Sequence, residues 1–281
     1  MSRAGMSGAD ATALALEAAL LLGGVALIGW LLFSPRGRAA MARRLPPWDI
    51  AGVDFAAFVF LVIFGALGLS ALANLATRRM ALSADALMVA GSVVMELGFL
   101  AGIAAFHGMY RARARGAPAP GGPSVLASGL VTFLVAIPLV DASSAASGYV
   151  FEKLGLPSEP QNFVDILASS HSAWLKGLLM AAAVLIVPLA EEGVFRAGLF
   201  RFLRTRMPPW AAITLTSLLF AAMHVDWSGH LAGLAVTPPL FILAAVFCLA
   251  YERTGRIGTC VVAHALFNLH TILYVASGTV K

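Results

Sequence analysis

The chain has 281 residues, of which 60% are hydrophobic and only 12% charged, where a soluble domain carries about 25% charge. That balance excludes a soluble globular enzyme. The net charge of +5 comes from arginines gathered between apolar runs, which is the pattern of membrane loops rather than of a nucleic-acid-binding face.

The apolar runs predict an all-α polytopic membrane protein with about eight transmembrane helices, because open strands would leave backbone groups unpaired in lipid. In chain order the spans are 13–33, 53–76, 82–106, 125–150, 173–203, a short 210–224, 230–251 and 257–275. The first run is too long for a signal-peptide core and reads as a membrane helix. Arg36, Arg38, Arg43 and Arg44, then Arg111, Arg113 and Arg115, then Arg201, Arg204 and Arg206, then Arg253 and Arg256 occupy alternate connections. The positive-inside rule puts those connections in the cytoplasm and both termini outside, with Arg78 and Arg79 running against the pattern.

Two pieces are expected not to span. Residues 116–123 are a Gly/Pro-rich loop. Residues 160–169 place Phe163, Ile166 and Leu167 on one face and predict a short amphipathic helix at the outer interface. Residues 1–150 form an N-terminal four-helix region without recognised motifs, and 160–276 hold the motif-bearing core. Cys248 and Cys260 lie in or beside apolar runs without CxxC spacing, as packing residues do.

Ionisable residues within the apolar runs carry the functional signal. Glu191-Glu192-Gly193-Val194-Phe195-Arg196 interrupts the fifth span, three residues after Pro188. Each carboxylate there costs at least roughly 2.5–3.5 kcal/mol, so a structural ion pair with Arg196 and a functional site are the two readings to weigh. His224 ends the sixth span, and His264 and Asn268 sit one turn apart on the eighth. His107, His171, His230 and His270 lie near span ends, as interfacial residues do. Glu17, Asp54, Asp85, Glu96 and Asp141 read as inter-helix pairs or interfacial residues, with Glu96 set apart by its depth.

Counting from a turn at 206–209, Glu191 lies 15 residues before Arg206 and His224 15 residues after Pro209. In an antiparallel hairpin both then stand roughly 22 Å above the turn. His264 and Asn268 enter from the same side, ~12 and ~18 Å beyond Arg256. A Glu, two His and an Asn on three helices can therefore converge at membrane depth. A carboxylate beside an imidazole can activate water, and a second His with an Asn can donate to an oxyanion. Alternatively, Glu191, His224 and His264 could hold a zinc ion with one open position. Both routes lead to hydrolysis of an amide or ester. HExxH, GxSxG and GxGD signatures are absent. Gly68-Leu69-Ser70-Ala71 reads as a small-residue packing patch.

Glu191-Glu192-x-x-x-Arg196, Phe220-x-x-x-His224 and His264-x-x-x-Asn268, in that order on hydrophobic segments, resemble the three motifs of the CPBP family. These are the type II CAAX prenyl endopeptidases and bacteriocin-processing (Abi) proteins. Tyr251-Glu252-Arg253-Thr254-Gly255 is similar too, and Ala197 stands where the family often has Gly. The resemblance covers about 160–276. It implies an intramembrane endopeptidase with Glu191 as general base beside His224, and with His264 and Asn268 as the oxyanion hole. Glu192 and Arg196 would be support, Arg196 holding a carboxylate in place. The family is described both as metallo- and as glutamate-dependent, and both versions use the same residues. The implied partners are the lipid bilayer and a peptide or membrane-protein substrate, prenylated or bacteriocin-like. The Ala/Gly/Arg-rich composition suggests a bacterial inner membrane. The rival readings are a proton- or ion-coupled transporter relaying through Glu191, Arg196 and His224, and a non-catalytic immunity or binding protein. Inverted repeats, which would favour transport, are not visible.

Overall fold

The computed structural model describes residues 8–40, 45–110, 124–156, 172–225 and 231–276. Among these every regular element is a helix. In chain order they are α1 (Gly8–Phe33), the short α2 (Pro35–Ala40), α3 (Gly52–Thr77), α4 (Ala84–Met109) and α5 (Val125–Lys153). After these come α6 (Ala173–Arg204), α7 (Pro209–Ala222), a short 3-10 helix (Leu231–Val236), α8 (Thr237–Thr254) and α9 (Ile257–Ala276). Seven of them are long and apolar enough to cross a bilayer. The eighth expected span is α7, an apolar helix of 14 residues, short of the ~20 a full crossing needs. The chain is an integral membrane protein. The expected loop at 116–123 and amphipathic helix at 160–169 lie outside the described residues.

The most extensive helix pair among the described residues is α3 with α4. Apolar side chains gain little by leaving lipid for a neighbouring helix, so membrane helices associate where small residues let backbones meet. Gly98 and Gly102, one GxxxG step on α4, face Gly65, Ala66 and Val62 on α3. A Cβ on Gly98 would land on the Ala66 backbone, and one on Gly102 on the Leu61–Val62 backbone. The expected packing patch at Gly68 is not the contact. Gly68 opens onto empty space, and Gly65, nearly one turn earlier, makes the approach instead.

Helix α6 is the axis of the other half. It touches α3, α4, α7, α8 and α9, while α5 closes the far side against α1, α8 and α9. Residues of the N-terminal half therefore pack directly on the motif-bearing helices.

An aromatic cluster secures the end of α6. Phe55 stacks on Phe202 at 3.7 Å, and Trp48, Phe58 and Phe106 pack edge to face. Arg204 then binds Glu252 of α8 bidentately, at 2.7 and 2.8 Å. Glu252 is buried there, which gives the Tyr251–Gly255 stretch a structural task. Gly255 ends α8 at φ 63°, and its N–H donates to the Tyr251 carbonyl at 2.8 Å. Only glycine adopts that left-handed cap cheaply.

Overpacking a backbone-to-backbone contact typically costs 1–3 kcal/mol. Gly102→Leu should therefore lower the detergent unfolding midpoint by several degrees, while Gly68→Leu should leave it unchanged. Thermal melts of the two variants beside wild type check this, and equal midpoints would remove the α3–α4 glycine contact from the stabilising set.

Candidate active site

The site begins with a defect in α6. Pro188 has no N–H, so in a regular helix the carbonyl four residues back would lose its donor and meet the ring. The helix widens instead into a π-turn over Ala182–Ile186, then resumes as α-helix over Val187–Glu192. In the wider register the carbonyl opposite the proline nitrogen is that of Ala183. It accepts a hydrogen bond from Asn268 Nδ2 of α9 at 2.7 Å. The proline thus creates an acceptor at membrane depth, and a motif residue takes it. A second π-stretch, Gly193–Phe200, follows directly. Such bulges re-aim side chains and recur at functional sites.

Glu191 and Glu192 stand between the two π-stretches and diverge by about 100° around the helix. Glu192 points into protein. Its Oε1 accepts from Arg196 Nη1 at 3.0 Å and from His264 Nδ1 at 2.9 Å. Glu192 and Arg196 are both 0% exposed. Arg196 also donates from Nη2 to the Ala244 carbonyl of α8 at 3.3 Å. Its guanidinium lies over the rings of Phe220 and Phe247, 4.6 and 5.3 Å from their centroids. The desolvated cation is thus met by a carboxylate, a carbonyl and two π-faces.

Glu191 points the other way, toward two imidazoles. Its Oε1 is 3.5 Å from His224 Nε2, and its Oε2 is 3.8 Å from His264 Nε2. His224 lies just past the end of α7. Its N–H bonds the Ala221 carbonyl, which leaves the Phe220 carbonyl to accept from His224 Nδ1 at 2.8 Å. Both histidines therefore commit Nδ1–H to an acceptor and turn Nε2 toward Glu191. In the neutral form each Nε2 is itself an acceptor. Two imidazole lone pairs and a carboxylate facing one another call for a shared donor, and water is the simplest. Glu191 Oε2 is buried without a hydrogen-bond partner among the described residues, which marks the same need.

A cavity of about 750 Å³ opens on this group. Glu191, His224, His264 and Asn268 line it from α6, the end of α7, and α9. The expected hairpin heights of Glu191 and His224 correspond to their 3.5 Å approach. All six residues singled out from the motifs thus meet in one place.

The zinc alternative was tested on the donors themselves. Catalytic zinc holds imidazole nitrogen at about 2.0–2.1 Å with three protein ligands and one open position. Glu191, His224 and His264 have suitable donor atoms. However, among the described residues no group of three or more His, Cys, Asp or Glu is arranged to hold a metal ion.

Three features were not read from the sequence. Phe247 stacks on Arg196 from a helix with no motif at that position. The Ala183 carbonyl is a site atom, and Pro188 was the available signal for it. His270, expected as an interfacial residue near the span end, pairs through Nε2 with Glu17 Oε2 of α1 at 2.8 Å and lines the same cavity with Asp141 of α5.

Residues 173–270 match the family model described as type II CAAX prenyl endopeptidase Rce1-like. No curated protein and no solved structure matches the chain. The matched segment runs from the start of α6 into α9 and contains all three motifs, with Glu191, Glu192, Arg196, His224, His264 and Asn268. Over residues 173–270, about a third of its length, the chain is similar to the type II CAAX prenyl endopeptidases.

Proposed function

We propose that the chain cleaves a peptide bond within the membrane, with Glu191 as general base for the attacking water. The observation that carries this reading is the set of three acceptors around one buried, unpartnered oxygen: Glu191, His224 Nε2 and His264 Nε2. A water placed there donates one hydrogen to the carboxylate and the other to an imidazole, and aims its lone pair into the cavity. On attack at the scissile carbonyl, Glu191 takes the water proton, the C–O bond forms, and the carbonyl oxygen becomes an oxyanion. Collapse then breaks the C–N bond, and the proton held by Glu191 passes to the leaving amine.

Asn268 stabilises the oxyanion. One Nδ2 hydrogen is spent on the Ala183 carbonyl, which fixes the amide plane and leaves the second hydrogen for the substrate. His264 donates from Nε2 only while it holds two protons, because Nδ1 is committed to Glu192. Glu192 and Arg196 do not touch the substrate. They hold His264 in one tautomer and one orientation, as a carboxylate does behind a catalytic imidazole.

The substrate is an amphiphilic peptide, either the C-terminus of a prenylated CAAX-type protein or a bacteriocin-type or membrane-protein tail. The cavity supports this by its size and by opening among membrane helices, within the 300–1,000 Å³ typical of pockets for small organic groups. The membrane is a bacterial inner membrane on this reading. The most informative experiment is peptide-library cleavage in liposomes by wild type and Glu191→Gln. Defined fragments from wild type alone support the peptidase, whereas identical traces from both, with ion or solute flux dependent on Glu191, would turn the assignment toward transport.

The division of labour is measurable. Glu191→Gln should abolish turnover while leaving the unfolding midpoint within a degree or two of wild type. Arg196→Ala should instead destabilise the fold by about 3–5 kcal/mol, the cost of stranding a buried carboxylate. If Glu191→Gln unfolds the protein and Arg196→Ala does not, the two roles are reversed. Asn268→Ala should lower kcat by about 10²–10³ with little change in KM, and a loss confined to KM would make Asn268 a substrate-binding residue. Incubation with a strong chelator should leave turnover unchanged. Loss of activity restored by zinc would reinstate the metal.

A further inference from the structure

The cavity that opens on Glu191 has a second polar wall, which the chemistry above does not use. Glu17 of α1, Asp141 of α5 and His270 of α9 line it. His270 Nε2 meets Glu17 Oε2 at 2.8 Å. The imidazole is stacked on Tyr274 and met edge-on by Phe133, with ring centroids at 6.3 and 6.0 Å, which fixes its plane. Helix α1 packs on α5, so Glu17 and Asp141 face the cavity from adjoining helices. The side chains of Glu17 and His270 are 21% and 16% exposed, so a group inside the cavity can reach them. His270 stands six residues beyond His264, or ~9 Å along α9.

This wall is short of positive charge. It holds two carboxyls, and a single imidazole can neutralise only one of them. No Lys or Arg is among the described residues that line the cavity. Carboxylates within membrane spans pair with cations or line substrate pathways, and a cavity of about 750 Å³ leaves room for the cation to arrive on a ligand. At the other end of the same cavity Glu191 Oε2 is buried without a partner among the described residues, a separate sign that the space is completed by what it binds. An ammonium offers three donors and a guanidinium five, and neither accepts, so either suits a wall of two carboxyls. An apolar or anionic group would leave the second carboxyl unmet.

We infer that Glu17, Asp141 and His270 form a specificity subsite that takes a Lys or Arg side chain of the peptide substrate, two to three residues from the scissile bond. The spacing follows from the ~9 Å along α9, since an extended peptide advances ~3.3–3.6 Å per residue. Asp141 accepts from the cation directly, and Glu17, held in place by His270, supplies the second carboxyl. This inference rests on the reading of the cavity as the substrate site. Glu17 and Asp141 both lie outside residues 173–270. The hydrolytic group therefore comes from the matched segment, and the choice of peptide is set largely by helices that precede it.

The test uses full-length protein in liposomes and paired peptides that differ only in Lys or norleucine at one of the three positions on either side of the scissile bond. Wild type should favour Lys by about 10–100-fold in kcat/KM at one position, the scale of hydrogen bonds to a charged group. Asp141→Asn should bring that ratio to within about threefold of one, chiefly through KM, and Glu17→Gln should lower it as well. Asp85→Asn, which removes an acid that does not line the cavity, should keep the wild-type ratio. No preference for Lys at any position, a ratio unchanged in both Asp141→Asn and Glu17→Gln, or a ratio lost equally in Asp85→Asn would each overturn the inference. Should Asp141→Asn not fold, Glu17→Gln decides. Binding of the same peptides to Glu191→Gln protein, read by fluorescence anisotropy, needs no turnover and so is separate from whether the chain is a peptidase. Tighter binding of the Lys peptide, lost when Asp141→Asn is added, supports the subsite even where wild type cleaves nothing, and equal binding of both peptides overturns it.

Discussion

The site depends on one buried ion pair, Glu192 with Arg196, both wholly removed from solvent. Taking two charges out of water costs several kcal/mol per ion, and their attraction offsets more of that cost the more hydrogen bonds reach both groups. Here Glu192 Oε1 binds His264 as well as Arg196, and Arg196 is covered by the Phe220 and Phe247 rings and the Ala244 carbonyl, while Glu192 Oε2 and Arg196 Nε have no hydrogen-bond partner among the described residues. Those partners come from α6, α7, α8 and α9. The pair is consequently a joint between four helices, and apolar side chains, which gain little by leaving lipid, could not specify that arrangement as closely. The same pair fixes the proton on His264 Nδ1 and so determines which face His264 offers to Glu191.

Around this joint the chain uses backbone irregularity to supply what side chains cannot. Pro188 removes one donor, the π-turn shifts the register, and the Ala183 carbonyl holds Asn268. The end of α7 frees the Phe220 carbonyl, which holds His224. In both cases a backbone acceptor that a regular helix would satisfy internally becomes the clamp for a motif side chain. A carbonyl buried in lipid without a donor is expensive, so each clamp stabilises the backbone and the side chain together.

Much of this was legible before any coordinates. The helical class followed from apolar run length, and the meeting of Glu191 and His224 followed from equal distances to the Arg206–Pro209 turn. Glu191, Glu192, Arg196, His224, His264 and Asn268 were all visible because ionisable or amide residues stand out in an apolar segment. Phe247 was not visible, because a phenylalanine in a membrane helix carries no polarity to mark it as a partner of Arg196. The Glu17–His270 pair was hidden for another reason. It joins residues 253 positions apart, and nothing local reports which ends of α1 and α9 lie side by side. The α3–α4 contact falls at Gly65 and not at Gly68, because the facing of two glycines only three residues apart depends on helix rotation, which neighbouring helices set.

The order of the two glutamates is itself a constraint. An intrahelical cation one turn on can serve only one of them, and Arg196 serves Glu192. The corresponding position for Glu191 is Phe195, whose ring packs against Phe220 at 5.1 Å instead. Glu191 therefore receives no guanidinium from its own helix, and no neighbouring guanidinium is within ion-pair distance among the described residues. A carboxylate locked to an arginine would be a poor base, because accepting a proton would cost it that pair. On the proposed reading of Glu191 as the base, a one-residue offset spares it that loss. Its contacts are imidazoles that can exchange protons, and what the fold must still supply is orientation. Exchanging the two glutamates with respect to Arg196 would leave the composition of the segment unchanged and remove this distinction, so the chemistry resides in the spacing from the arginine and not in the presence of two acids.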